Sequence, residues 1–82
     1  MRKSDFITQI AENLTLTDIR VLWFDVFDRK MEDDVQDKHV ACRELVNRSS
    51  RDDMLPKLID KICRNHPAVS KKFLKAKEGF DG

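Results

Sequence analysis

An all-α fold is predicted, a compact antiparallel bundle of six helices whose third member is short. Three observations predict it. Apolar residues recur at three- and four-residue spacing along most of the 82 residues. Only two Gly and two Pro are present, too few for the tight turns that a sheet of this length needs. Charged residues make up 38% of the chain, which suits the solvent faces of helices.

The elements follow in order. Ser4 is placed to cap a first helix, with Phe6, Ile7, Ile10 and Leu14 on one face. Thr17 is placed to cap a second, with Leu16 stapled onto Val21. Its stripe reads Ile19, Leu22, Trp23, Val26 and Phe27, and Trp23 sits squarely on the inward side. Val21 and Phe24 lie off that stripe, so the helix is apolar nearly all round and a second layer of helices is expected to cover it. The polar stretch DRKMEDDVQD has only Met31 and Val35 to bury and reads as a loop with one short helical turn. A longer helix starts near Asp37, with Val40, Ala41, Cys42 and Leu45 inward. Asp52 or Asp53 is expected to cap the next, since a cap at Asp53 puts Pro56 in the first turn, where its missing N–H costs nothing. Leu55, Leu58, Ile59 and Ile62 form its inward stripe. Pro67 opens a last helix with Val69, Phe73 and Ala76 inward. Short links between such helices favour antiparallel neighbours.

The length allows one domain, assigned to residues 1–77, with 78–82 as the start of a linker or tail. A domain this size buries roughly 60–65% of its unfolded surface, leaving no room for a cofactor cavity beside the core, and no cofactor is expected. No segment is long and apolar enough for a signal peptide or a membrane span. Two cysteines in a Lys/Glu-type sequence point to a reducing compartment, with the cytoplasm as the default. The net charge is +1, but residues 1–37 carry 5 Lys/Arg against 9 Asp/Glu, while residues 38–82 carry 11 against 6.

Several segments resemble a known family. LTDIRVLWFDV carries Ile19, Arg20, Leu22, Phe24 and Asp25 in a Leu/Ile-Arg-x-Leu-x-Phe-Asp pattern. Cys42, Arg43, Glu44, Leu45 and Val46 match an Ala-Arg-Glu-Leu-Val helix. Leu55, Pro56 and Leu58 match a Leu-Pro-x-Leu helix start, and Arg64 and Pro67 an Arg-x-x-Pro ending. In this order over residues 6–75 the chain resembles the bacterial effector-associated domains of the death-like superfamily. Its MEDDVQDKH and SSRDDML segments stand where that family often has Gly-containing loops. The resemblance implies a six-helix death-like bundle with a short third helix. It also implies a non-catalytic adaptor module of bacterial conflict or signalling systems, pairing with a similar domain on its own kind or on a partner protein.

The charge asymmetry suggests where such pairing would occur. Asp25, Asp28, Glu32, Asp33 and Asp34 form a candidate acidic patch, and Arg43, Arg48, Lys57, Lys61 and Arg64 a candidate basic one. Lys57, Lys61 and Arg64 step by four and three along one helix face. Complementary patches on one domain permit head-to-tail contact, steered by charge and weakened by salt. The plain alternative is a solvated surface with i,i+4 pairs around Asp60. Exposed on helix two beside Asp25 and Asp28, Phe24 would be a binding hot spot; a covering layer is favoured instead.

Other chemistries are weaker. His39 and Cys42, with Cys63 and His66, are chemically able to surround zinc, but buried apolar cysteines are the ordinary outcome and no metal is expected. Cys–His nucleophilic catalysis lacks an orienting third group and a Gly-rich oxyanion turn. With no phosphate loop and no triad, enzymatic activity is not expected. The rival class is a small helix-turn-helix nucleic-acid binder using Lys57, Lys61, Arg64, Lys71, Lys72, Lys75 and Lys77 on phosphates. The near-neutral net charge and the acidic half argue against it.

Overall fold

Apolar spacing does produce helices in the described residues. The computed structural model describes residues 2–32 and 34–73, and these form four α-helices and one 3-10 helix, with no strand among them. They are α1 (Lys3–Asn13), α2 (Leu16–Phe27), α3 (Lys38–Arg51), α4 (Leu55–Asn65) and the 3-10 helix α5 (Pro67–Phe73). The radius of gyration is 11.4 Å, close to the roughly 12 Å expected for a close-packed chain of this length.

One core holds the elements together. Phe6, Ile10, Ile19, Leu22, Leu45, Leu58, Ile62 and Phe73 are all fully buried within it. α1 packs on α3 and α5, α2 on α3 and α4, and α4 on α3 and α5. The chain is closed by Phe6 meeting Phe73 edge-on, with ring centroids 5.7 Å apart and planes at 84°. Nearby, Lys72 Nζ donates to Asn13 Oδ1 at 2.9 Å.

Helix starts differ from the sequence expectation in three places. Arg2, not Ser4, stands at the start of α1, and its carbonyl accepts from Phe6 N–H at 3.1 Å. Ser4 lies inside the helix, where its carbonyl accepts from Thr8 Oγ1 at 3.0 Å. For α2 the cap is Thr15, not Thr17. Asp18 N–H donates to Thr15 Oγ1 at 3.1 Å and Thr15 N–H donates to Asp18 Oδ2 at 3.0 Å, a reciprocal box that satisfies two otherwise orphaned donors. The Thr15 backbone N–H holds the Asp18 carboxyl below its ordinary range, against the opposing pull of burial. Leu14 and Ile19, both buried, occupy the staple positions around this cap, while Val21 is exposed. Asp37 caps α3 as expected, accepting from His39 and Val40 N–H at 2.9 and 3.1 Å.

The third difference lies between α3 and α4. Asp52 and Asp53 do not cap α4; they end α3. Asp53 has φ 61°, its N–H donates to Ser50 O at 3.3 Å, and Met54 N–H donates to Ser49 O at 2.6 Å. This is a Schellman ending with Asp where Gly is usual. Met54 then precedes α4 with no side-chain cap, and Pro56 still falls in the first turn. Asp28 ends α2 similarly, with φ 56° and its N–H donating to Phe24 O at 2.8 Å. Each Asp accepts left-handed strain and puts a negative charge at the negative end of a helix. Asp28→Gly and Asp53→Gly are each expected to stabilise the fold by about 0.5–1 kcal/mol, or about 2–8 °C in Tm. A thermal melt followed by circular dichroism checks this, and a lower Tm for both would show that the carboxylates, not the backbone, hold these endings.

The short third helix is not found among the described residues: the 28–37 link holds only a turn at Asp34. Too few apolar residues lie there to bury a helix face. Met31 is buried and Val35 half-buried against the core, as expected, and Arg20 Nη2 donates to Val35 O at 2.8 Å to pin the loop. The expected last α-helix is a 3-10 helix, with Phe73 buried and Val69 half-buried. Ala76, the tail 78–82 and the 77/78 boundary lie outside the described residues, as do Asp33, Lys75 and Lys77.

Candidate interaction surface

The core accounts for nearly every large apolar side chain in the described residues, and two stand outside it. Val21 is 49% exposed and Phe24 55%, so no described element covers the second side of α2. The expected covering layer is therefore absent there: α3 and α4 occupy the flanks of α2 and leave its outer side open. Thr17, Val21, Phe24 and Asp28 follow one another by four, three and four residues, and all are exposed. The helix thus presents a continuous stripe with two apolar residues between polar ends.

Charged residues flank the stripe. Asp25 is half-buried, and its Oδ2 accepts from Asn65 Nδ2 at 3.0 Å, joining the end of α2 to the end of α4. On α4, Lys57 and Arg64 are exposed and Lys61 half-exposed, while Leu58 and Ile62 are buried. Arg64 Nε lies 3.5 Å from Asp60 Oδ2, an exposed i,i+4 pair of small energetic weight. Arg43 is exposed on α3. Asp28, Glu32 and Asp34 are exposed at the end of α2 and in the loop after it.

Arg48 is placed differently from the other cations. It is half-buried, with its guanidinium over Trp23 at 5.7 Å and over Phe27 at 5.4 Å, and its Nε 3.8 Å from Asp52 Oδ2. Trp23 and Phe27 themselves meet edge-on at 4.9 Å. The charge split along the chain is folded so that helices of the acidic half lie against helices of the basic half: α1 on α3 and α5, α2 on α3 and α4.

Neither cysteine is in a disulfide. Cys42 is fully buried, and burial pushes its thiol up to about 11, with Lys38 pulling down and Asp37 pushing up more weakly. At neutral pH it is a protonated, enclosed thiol. Cys63 is half-buried and also free. Among the described residues no three His, Cys, Asp or Glu side chains lie close enough together to hold a metal ion. Nor is any described helix long and apolar enough to cross a membrane.

Sequence reasoning named Phe24 but expected it to be covered, and it missed a groove on another side of the molecule. That groove, about 380 Å³, lies between the end of α2, the 28–37 loop and α3. Trp23, Met31, Val35, Val40 and Arg48 line it. No local pattern marks it, because its walls come from three separate segments. The chain matches no family model, no curated protein and no solved structure.

Proposed function

We infer that this chain is a non-catalytic protein-interaction module that pairs with a second domain of its own kind through the outer side of α2. The observation that carries this is the exposure of Val21 and Phe24 together, on one stripe between Thr17 and Asp28. A large aromatic left in water on a rigid helix, ringed by polar groups, has the composition of a binding hot spot. The cations of α4 and the acids at the end of α2 supply complementary charge to set register and speed encounter. Buried Cys42 offers no nucleophile. The motif resemblance adds a context: a death-like adaptor of a bacterial cytoplasm, bringing an effector to a sensor, with the 28–37 loop in place of a short third helix. Nucleic-acid binding ranks lower, since Asp52 and Asp53 fill the α3–α4 turn and would face phosphates there.

The test is self-association measured by sedimentation velocity at low and high salt. The unaltered chain is expected to associate, and Phe24→Asp to weaken association at least about 30-fold, the scale of a hot-spot loss. Reversing Lys57, Lys61 and Arg64 to Glu is expected to weaken it most at low salt. A chain that stays monomeric to millimolar concentration, or an association indifferent to Phe24→Asp, removes this reading. Saturable binding of a random duplex would favour the nucleic-acid rival.

A further inference from the structure

Phe24 projects from α2 as an exposed aromatic knob, and the groove between the end of α2, the 28–37 loop and α3 is an open apolar hollow. The two match in size. A cavity of about 150 Å³ is enough to hold one benzene ring. The groove, about 380 Å³, has room for the phenyl ring of Phe24 and for part of the helix that carries it. They match in polarity too. Met31, Val35 and Val40 give the groove apolar walls, and Val35 and Val40 are only half-buried. An aromatic ring seated there removes apolar surface from water on both sides of the contact.

The charges have the right signs as well. Among the residues lining the groove, Arg29, Lys30 and Arg48 exceed Glu32 and Glu44 by one positive charge. Beside Phe24, the end of α2 carries Asp25 and Asp28. Opposite charges at the margins of a contact steer docking and fix its register.

Phe24 does not serve the groove of its own chain. Consecutive residues of a helix project about 100° apart, and Trp23, not Phe24, is the α2 residue of the pair that lines the groove. Knob and groove therefore face different directions on one domain.

We propose that the groove is the receiving half of the pairing contact, so that Phe24 of one copy of this chain enters the groove of a second copy. This rests on the pairing reading above and adds to it the face that receives α2. Each copy then turns its knob to one neighbour and its groove to another, a heterologous contact rather than a two-fold one.

Variants that remove one half at a time test this. Phe24→Asp removes the knob and keeps the groove. Val40→Glu puts a carboxylate in the groove wall and keeps the knob; residue 40 lies in the first turn of α3, where a carboxylate is favoured, so the helix is expected to form. Glu44→Trp plugs the groove from an exposed position, where folding is expected to be unchanged. In sedimentation velocity each variant alone is expected to associate at least about 10-fold more weakly than the unaltered chain. Phe24→Asp mixed with either groove variant is expected to form a one-to-one complex that grows no further, with a Kd within about 3-fold of the unaltered contact. With nitrogen-15 in Phe24→Asp alone, adding Val40→Glu is expected to shift the amides of Met31, Val35 and Val40. With the label exchanged, those of Val21 and Phe24 are expected to shift. Mixtures that associate no better than the separate variants overturn the proposal. Groove variants that associate like the unaltered chain, while Phe24→Asp does not, overturn it in favour of stripe-against-stripe pairing and leave the pairing reading standing. An unaltered chain that does not associate removes both, and leaves the groove to an unrelated protein.

Discussion

Phe6→Ala is expected to remove about 3–5 kcal/mol of stability, the usual cost of truncating a fully enclosed aromatic. A chain of 82 residues has roughly 4–12 kcal/mol to lose, so the variant should be marginally folded or unfolded at 37 °C. Phe6 is 0% exposed, and its ring meets that of Phe73 at the far end of the described fold. That contact joins the first helix to the last described one. Because α1 otherwise rests on α3, removing the ring undoes both the burial and the closure. Urea unfolding followed by circular dichroism measures the loss, with Phe6→Leu as a control expected to cost less than about 1.5 kcal/mol. A loss under 1 kcal/mol for Phe6→Ala would mean that α1 is not part of the cooperative core.

Phe6 also shows what was legible in advance. Inward stripes are local properties of spacing, and those of α1, α2 and α4 were read correctly: Phe6 and Ile10, Ile19, Leu22 and Trp23, Leu58, Ile59 and Ile62 are all buried. Helix ends were harder because neighbouring signals compete. Thr17 looked like a cap, yet Thr15 has Asp18 three residues on and closes a reciprocal box. Asp53 looked like a cap for α4, but the three-residue link leaves room for one device only, and the ending of α3 takes it. Whether Phe24 is covered depends on which neighbours α2 acquires, and periodicity does not carry that information. Arg48 was assigned to a basic patch on charge alone. The cue to its true setting was the Trp23–Phe27 pair at i,i+4, a ready aromatic platform for a guanidinium. The groove was invisible for the same reason as the exposure of Phe24: residues 23, 31, 40 and 48 meet only after the chain folds.

Met31→Ala is expected to cost about 2–3 kcal/mol, although the residue sits in a loop between helices. Loops normally tolerate truncation, since they run over the surface. Here Met31 is 3% exposed, and it is the buried apolar anchor of a ten-residue link that is also tied to α2 by the hydrogen bond from Arg20 to Val35 O. Truncation leaves a void under the loop and removes its one fully buried apolar side chain among the described residues, so the loop should lift as the domain loses stability. Two readouts distinguish this from a simple core cavity. Trp23 emission should move to longer wavelength, because Met31 and Trp23 wall the same groove and its opening admits water to the indole. Amide exchange should accelerate in residues 28–37 before it does in α4. Val21→Ala, at a position 49% exposed, is the matched control and should cost less than about 0.5 kcal/mol. A Met31→Ala variant as stable as that control, with unchanged Trp23 emission, would show that the loop is not held to the core.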